Sequence, residues 1–204
     1  MEHASKTTKD IEHTPWPQDL HIHTTFSYDD GAIVPEQTLE LIAAVRHARV
    51  VGISDHFEFV CGERFEAYSN AVRACGFLLG TEVPGPDRAD EAAEAQVDYY
   101  ILHCRDTAED YAAAERLLDT ARPVIIAHPM MLDTDLDRTP RDCLIEINNR
   151  YVWRNDWRAR LGPYVDRFRF VVDSDAHQPH WLNQSTARWV AHELGVQETL
   201  LVSG

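Results

Sequence analysis

Short apolar runs recur along the chain, and segments with helical spacing separate most of them. Runs of four to eight apolar residues bounded by turn residues are typical of buried strands. They predict seven strands, at residues 19–23, 50–54, 77–83, 97–102, 123–127, 143–147 and 169–172. Apolar residues at helical spacing predict helices at residues 35–48, 64–75, 89–95, 107–120, 181–194 and, in part, 151–166. Apolar strands that alternate with helices indicate parallel βα units and thus an α/β fold.

Residues that can bind metal ions stand at or just beyond the carboxyl end of nearly every predicted strand. They are His21, His23, His56, Glu82, His103, His128, Glu146, Asp175 and His177. Barrels built of βα units have their active sites at this end of the strands. Core histidines placed at random would not follow strand ends in this way. The pattern therefore predicts an active site at that face.

The first predicted strand carries the densest part of this pattern. Side chains alternate along a strand, so Asp19, His21 and His23 are expected on one face, with Leu20 and Ile22 on the other. Burying such polar groups costs free energy unless partners are supplied, and a metal ion supplies them. Taken alone, the two histidines are equally compatible with a solvent-exposed strand whose histidines have no function. The other strand ends favour a metal site.

Composition narrows the class of protein. The 204 residues suit one domain, placed at residues 19–204 after a polar tail at residues 1–18. No apolar run approaches the ~20 residues of a membrane span, and the N-terminus has no signal-peptide core, so a cytoplasmic protein without membrane contact is expected. A net charge of −15 opposes broad binding to nucleic acid. The four cysteines form no CxxC pair and are expected to be reduced.

Seven motifs follow one another between Asp19 and His177. They are Asp-x-His-x-His-Thr at 19–24, Ser-Asp-His at 54–56, Gly-x-Glu at 80–82, a strand-terminal His103, Ala-His-Pro at 127–129, Glu-Ile-Asn-Asn at 146–149 and Ser-Asp-Ala-His at 174–177. This ordered set resembles the PHP superfamily, which is named after polymerases and histidinol phosphatases. The resemblance implies a distorted (β/α)7 TIM-like barrel with a metal cluster, often trinuclear, that hydrolyses phosphoesters.

The resemblance also implies a set of metal ligands. The first ion would be held by His21, His23, Glu82 and Asp175. The second would share Glu82 and add His103 and His128. The third would be held by Asp29, His56 and His177, although Asp29 stands where the family often has a histidine and Asp30 is an alternative. Imidazole and carboxylate ligands suit Zn, Mn or Fe better than Mg, so two to three such divalent ions are expected.

The expected activity is hydrolysis of a small phosphomonoester by a hydroxide that bridges two metal ions. Asp175 and His177 are the predicted catalytic residues, and His177 or a metal-bound water would protonate the leaving alkoxide. Histidinol phosphate and nucleoside monophosphates are candidate substrates. Two alternatives stay open: a nuclease acting on short oligonucleotide ends, and a metal-binding regulatory module without catalysis. The sequence does not indicate an oligomeric state.

Residues 150–160 combine four arginines and three aromatic residues, just after the sixth predicted strand. Arginine can bind a phosphate through two hydrogen bonds, and an aromatic face can stack on a base or an imidazole. Arg150 and Arg154 are therefore the predicted substrate contacts. The alternative, favoured for the last two arginines, is an amphipathic helix that packs Trp153 and Trp157 inward and pairs its arginines with surface acids.

Four more polar residues have smaller expected roles. Asp19 and Asp55 are expected either to orient ligand histidines from behind or to cap strand ends. Glu146 is expected either to reach the cluster or to form hydrogen bonds at the barrel rim. His47 is expected on the surface of a helix.

Overall fold

Seven parallel strands form an α/β barrel in the structure, a computed structural model that describes residues 14–28 and 30–202. The strands pair in chain order, each with the next. They are β1 (Trp16–Asp19), β2 (Ala48–Ile53), β3 (Leu78–Val83), β4 (Tyr99–Leu102), β5 (Val124–Ile126), β6 (Leu144–Asn148) and β7 (Arg169–Asp173). The predicted barrel of seven parallel strands is confirmed.

Helices follow most of the strands. They are α1 (Leu39–Val45), α2 (Phe57–Val60), α3 (Phe65–Ala74), α4 (Ala89–Glu94), α5 (Ala108–Leu118), α6 (Trp157–Leu161) and α7 (Ser185–Leu194). Shorter 3-10 helices lie at Thr25–Ser27, Gly62–Arg64, Pro86–Arg88, Val152–Arg154, Gly162–Tyr164 and Pro179–Trp181. None of the helices in the described residues combines the length and the apolar character that crossing a membrane demands.

The seam between β1 and β7 closes the barrel just beyond the strand ends. Ile22 and Ala176 form a parallel bridge, in which the N–H of His23 donates to the carbonyl of Ala176 at 2.9 Å. Side chains complete the seam nearer the base. Asp173 accepts from the N–H of Leu20 at 2.7 Å, and Asp19 accepts from the N–H of Ser174 at 3.0 Å. Carboxylates thus take the place of backbone carbonyls that a regular ladder would supply.

Apolar side chains fill the amino-terminal half of the barrel interior and form a packed layer there. Side chains alternate along β4, so Tyr99 and Ile101 belong to the inner cluster while Tyr100 and Leu102 pack against the helices. Tyr99 is fully buried, and its hydroxyl donates to the carbonyl of Leu20 at 2.5 Å. This apolar layer separates the polar, carboxyl-terminal end of the barrel from its base.

Glycines on β2 and β3 make room for the ring of Tyr99 on β4. A Cβ atom added at Gly52 or Gly80 would lie closer than 3.0 Å to atoms of the Tyr99 ring and hydroxyl. Because the Tyr99 ring extends inside the barrel across β3 to β2, only a residue without a side chain fits at these two positions.

Residues after α7 lie across the base of the barrel. Gln18, buried on β1, donates to the carbonyl of Thr199 at 2.8 Å and accepts from the N–H of Leu201 at 3.1 Å. Thr199 in turn donates its N–H to the carbonyl of Phe170 on β7 at 2.7 Å. Residues that follow α7 and residues of β1 together therefore cover the base of the barrel.

The start of the barrel differs from the prediction. β1 begins at Trp16, so the predicted tail is wrong at residues 16–18, whereas residues 1–13 lie outside the described part of the chain. Gln18 is polar but buried because its amide finds the partners just described. The strand also ends at Asp19, which breaks the alternation. Leu20 joins the inner cluster and Ile22 the outer one, so the prediction that they share a face is wrong.

Helix boundaries differ as well, for local reasons. α1 begins at Leu39 because Thr38 accepts from the N–H of Leu41 and caps it, four residues after the predicted start. α7 begins at Ser185, since the residues before it form a 3-10 helix. The short helix α2 was not predicted.

The predicted amphipathic helix after β6 is wrong in its Trp pattern. Trp157 is buried in α6, but Trp153 lies in a separate 3-10 helix and is 62% exposed. The expected pairing of the last two arginines is confirmed, because Arg158 binds Glu193 at 2.8 Å and Arg160 binds Asp133 at 3.2 Å. Exposed pairs of this kind contribute little to stability.

Candidate metal centre

Side chains from six strand ends converge at the carboxyl-terminal end of the barrel. They are His21 and His23 after β1, His56 after β2, Glu82 on β3, His103 after β4, His128 after β5, and Asp175 and His177 after β7. The parallel register brings the ends of the strands to one face, which is why residues distant in sequence meet here. The deepest members, His21 and His23, are fully buried.

Glu82 lies at the centre of this cluster. Its Oε1 atom is 2.6 Å from His103 Nε2, 3.2 Å from His21 Nε2 and 3.5 Å from His128 Nε2. Its Oε2 atom is 2.8 Å from His56 Nδ1 and 3.5 Å from His23 Nε2. One carboxylate thus contacts five imidazole rings, which gives it the position of a bridging ligand.

Three groups of ligand atoms are close enough to share an ion, with all atoms of a group within 4.8 Å of one another. They are His21, His23 and Glu82; Glu82, His103 and His128; and His23, His56 and His177. The first group contains three of the four ligands that the resemblance implied for the first ion, without Asp175, and the second group matches the set implied for the second ion. The third adds His23 to two predicted ligands. Glu82 and His23 each belong to two groups, so neighbouring sites would share ligands.

Among the described residues, Asp30 is the carboxylate beside His56 and His177 of the third group. Its Oδ2 atom is 3.0 Å from His177 Nε2 and 3.1 Å from His56 Nε2. Asp29, the residue predicted from the sequence, lies outside the described residues. The alternative that the sequence offered is therefore the carboxylate seen between these two rings.

Distances among His21, His23 and Glu82 are suitable for a shared ion. His21 Nε2 lies 3.1 Å from His23 Nε2 and 3.2 Å from Glu82 Oε1, and His23 Nε2 lies 3.5 Å from Glu82 Oε2. Asp175 Oδ1 lies beside this group, 3.9 Å from His21 Nε2 and 3.7 Å from His23 Nε2. Ligands about 2.1 Å from a zinc ion in a tetrahedron are about 3.4 Å apart. Nitrogen and oxygen donors of this kind suit Zn, Mn and Fe. The residues present can therefore hold such an ion.

The electrostatics of the cluster favour positive charge among its carboxylates. Burial would raise the pKa of Glu82, but the charges of His103, His21 and His56 hold it well below its ordinary value. Burial would also lower the pKa of His21, yet the carboxylates of Glu146, Asp175 and Glu82 raise it well above its ordinary value. Protons serve here as the counter-charge, and a divalent cation can replace them.

The outer rim shows the same balance. Burial opposes the charged form of His56, but Glu82 and Asp30 raise the pKa of that ring to about 10. The hydrogen bond from His56 outweighs burial at Asp30 and lowers the pKa of that carboxyl to about 2. His23 is the exception. Burial, with the positive charges of His177 and His56, lowers its pKa well below the ordinary value, which leaves a neutral ring with a free lone pair.

Glu146 supports the cluster from behind. Its Oε1 atom accepts from His21 Nδ1 at 2.7 Å, and its Oε2 atom accepts from the N–H of His128 and from the amide of Asn148. Because a carboxylate only accepts, Glu146 fixes a proton on His21 Nδ1, so Nε2 is the atom that would bind an ion once its own proton is lost. Asn148 also donates to Asp175 at 3.1 Å. Of the two roles expected for Glu146, the structure shows contact with the cluster.

Asp19 and Asp55 act as caps. Asp55 accepts from the N–H of Thr24 at 2.7 Å and from its hydroxyl at 2.6 Å, which fixes the turn after the first two ligand histidines. Asp19 accepts from His47 Nε2 at 3.0 Å. His47 is consequently buried and only 3% exposed, so the expectation of a surface histidine is wrong. The carboxylate partner is what allows the ring to be buried.

The two predicted substrate arginines differ in position. Arg150 NH1 lies 3.4 Å from Asp175 Oδ1 and 3.2 Å from His177 Nδ1, so it reaches the cluster directly. Arg154 is exposed and packs over the rings of Tyr151 and Trp153, at 5.2 and 4.9 Å from their centroids. In the described residues Tyr151 stands between Arg154 and the cluster, since its ring lies 5.2 Å from that of His128.

Two of the ligand-type residues have left-handed backbone conformations. His128 has a φ of 24° and Asp175 a φ of 55°, values that non-glycine residues rarely adopt. Strain of this kind persists where surrounding contacts fix the chain, and it is common at functional sites. Asp and His are among the non-glycine residues enriched at positive φ, but residue type alone does not tell which of them adopt it.

Comparisons with known proteins give only structural similarity. No family profile and no curated protein matches the chain. A truncated 3-deoxy-D-arabino-heptulosonate 7-phosphate synthase from Thermotoga maritima is 13% identical, with a TM-score of 0.41 over 97% of this chain and 96% of that one. Xanthomonas albilineans dihydropteroate synthase is 13% identical, with a TM-score of 0.48 over 89% and 85%. At these values the similarity supports no inference about function.

Proposed function

We propose that this chain is a metal-dependent phosphoesterase of the PHP type that hydrolyses a small phosphomonoester. The observation that supports the proposal most is the position of Glu82, whose two oxygens lie among five imidazole rings from separate strand ends. A purely structural role does not explain such a cluster, because burying so many titratable groups is costly without a bound cation. The ordered motifs of the sequence point to the same chemistry.

Two to three divalent ions would be held by the groups described above. The first would use His21, His23, Glu82 and Asp175. The second would use Glu82, His103 and His128, and the third His23, His56, His177 and Asp30. Divalent ions bound at such sites lower the pKa of water and neutralise charge on phosphoryl oxygens.

The chain itself supplies charge and a proton path. Arg150 is partly exposed beside Asp175 and His177, so its guanidinium can bind a phosphoryl oxygen at the edge of the cluster. With only the first two ions bound, His177 Nε2, which lies 3.0 Å from Asp30 Oδ2, can carry the proton that a leaving alkoxide takes up. If a third ion occupied His177 and Asp30, a water bound to that ion would supply the proton instead. Tyr151 packs its ring edge-on to that of His128, with 5.2 Å between the centroids, and borders the cluster on that side.

Removal of metal is the direct test. Protein purified without chelators is expected to hydrolyse para-nitrophenyl phosphate, to lose at least about 90% of this activity after dialysis against a chelator, and to regain it with Mn or Zn. Turnover that survives removal of all metal contradicts the proposal. Bound metal without turnover of any phosphomonoester favours the regulatory module. Preference for short oligonucleotide ends over nucleoside monophosphates favours the nuclease.

Replacing Glu146 with Gln is expected to weaken metal binding about 10- to 100-fold, the range typical of residues behind the ligands. The Gln side chain has one oxygen where Glu146 has two. Its NH2 group must therefore face either His21 Nδ1 or the two groups that donate to Oε2, the N–H of His128 and the amide of Asn148, and one of these hydrogen bonds is lost. Competition with a chromophoric chelator measures the affinity. The exposed Glu115 provides a matched control, as Glu115→Gln. An affinity within about twofold of the wild type would show that Glu146 does not position His21.

A further inference from the structure

A cavity of about 400 Å³ lies beside the metal-ligand cluster, between the loops that follow β6 and β7. Its walls include Arg150, Tyr151, Trp153, Arg154, His180 and Trp181. We refer to it as the arginine–aromatic cavity. Arg150 belongs both to its wall and to the cluster, since it contacts Asp175 and His177. A phosphoryl group held at the cluster would therefore direct the rest of its ester into this space.

The charge of the cavity is opposite to that of the chain. The sequence has 34 acidic and 19 basic residues, yet no carboxylate is among the residues that line the cavity in the described structure. Arg154 has only the Tyr151 and Trp153 rings beside its guanidinium, and in the described part of the chain no carboxylate lies within ion-pair distance of it. The guanidinium is therefore available for an external anion.

Arg158, four residues after Arg154, has a similar aromatic contact but is paired with a carboxylate. Its guanidinium packs over Trp157 at 4.0 Å, in the manner of Arg154 over Trp153, but it also binds Glu193 at 2.8 Å. The two arginines thus share an aromatic support and differ in their partner. Arg158 is a matched control for a charge effect of Arg154.

The walls of the cavity are flat. The Arg150 guanidinium lies 4.9 Å from the centroids of both Tyr151 and Trp181, and Trp153 is 62% exposed. Stacking on aromatic or guanidinium planes favours planar groups over puckered ones. The volume is sufficient for one ring with a substituent, because ligand cavities of this size hold small organic molecules.

We propose that the arginine–aromatic cavity binds the organic part of the substrate and selects phosphomonoesters of a planar, anionic alcohol or phenol over those that carry an ammonium group. This inference rests on the proposed function. In the step itself a water oxygen forms a new bond to phosphorus, the ester P–O bond breaks, and the leaving oxygen takes up a proton released by that water. Arg154 contacts the anionic substituent, and the aromatic residues contact the ring.

The kinetic test compares para-carboxyphenyl phosphate with para-(aminomethyl)phenyl phosphate on metal-loaded protein. The wild type is expected to prefer the carboxylate by about 10-fold in kcat/KM, mainly through KM, because uniform binding changes KM. Arg154→Gln is expected to remove most of this preference without changing metal content, and Arg158→Gln is expected to keep it. Comparing ratios between proteins cancels the different reactivity of the two esters.

A binding test separates this inference from the proposed function, because it needs no turnover. Calorimetry with para-hydroxybenzoate, para-hydroxybenzylamine and the puckered trans-4-hydroxycyclohexanecarboxylate is expected to show binding of the first alone, weakened about 10-fold by Arg154→Gln. Such binding without hydrolysis of any ester supports the cavity and contradicts the phosphoesterase. The cavity proposal is overturned if the ratio of kcat/KM for the two esters is the same in wild type and Arg154→Gln and both proteins bind para-hydroxybenzoate equally. Hydrolysis by both proteins would still support the phosphoesterase. Neither binding nor hydrolysis overturns both.

Discussion

Glu82→Gln is expected to reduce bound metal and phosphomonoester turnover together, each by more than about 100-fold. Residues behind metal ligands typically change affinity about 10- to 100-fold, and Glu82 would be a ligand shared by two ions. The substitution removes the negative charge that lies within 3.5 Å of His21, His103 and His128. The site would then lose the anionic oxygens that lie between the two groups of donors, and a cation would be held by the remaining groups without this shared carboxylate.

Metal content after exhaustive dialysis, measured by mass spectrometry, and kcat/KM on one phosphomonoester provide the two measurements. Glu66→Gln, on the exposed side of α3, is the control for loss of one acidic charge. Circular dichroism establishes whether the variant is folded. A folded Glu82→Gln protein with full metal content and full turnover would mean that the cluster is not the catalytic centre.

Gly80→Ala is expected to destabilise the fold by about 3 kcal/mol, the upper part of the usual range for overpacking. A Cβ atom at Gly80 would meet three atoms of Tyr99 closer than 3.0 Å, and that ring is fully buried and hydrogen-bonded to Leu20. The ring cannot move aside because close-packed interiors offer no free volume. For a domain of this size the loss corresponds to a decrease in Tm of about 6–12 °C.

Urea unfolding measures the loss, with Gly162→Ala as control because its nearest non-local atom is 4.0 Å away. The control should change stability by less than about 0.5 kcal/mol. Combining Gly80→Ala with Tyr99→Leu should give less than the sum of the two single losses, since the clash is removed. An additive pair would show that the Tyr99 ring is not what excludes a side chain at Gly80.

The strand ends could be predicted from the sequence because they depend on local patterns. Most of the clustered histidines stand close to the end of an apolar run, and a parallel barrel brings such ends together whatever the details of packing. The burial of His47 and Gln18 could not be predicted in this way. Both residues are polar, and their partners lie at Asp19, Thr199 and Leu201. Those contacts exist only once the barrel is closed.

The role of the glycines on β2 and β3 was equally hidden. A glycine in a strand indicates a close approach, but the sequence does not say that Tyr99 is the group approaching Gly80. Likewise, the motif at residues 146–149 pointed to the site without showing that Glu146 fixes His21. Roles that depend on one partner far along the chain require the structure.

The seam between the first and last strands has a consequence for how the molecule is made. Ala176 pairs with residues 21–23, and the base of the barrel joins Gln18 to Thr199, so the closing contacts span most of the chain. Contacts of such long sequence separation form slowly. During synthesis, Asp175 and His177 must emerge from the ribosome before they can join the histidines of the first strand ends. Until then β1 has no partner on the side of β7, and an open sheet edge of this kind makes newly made chains vulnerable to misassembly.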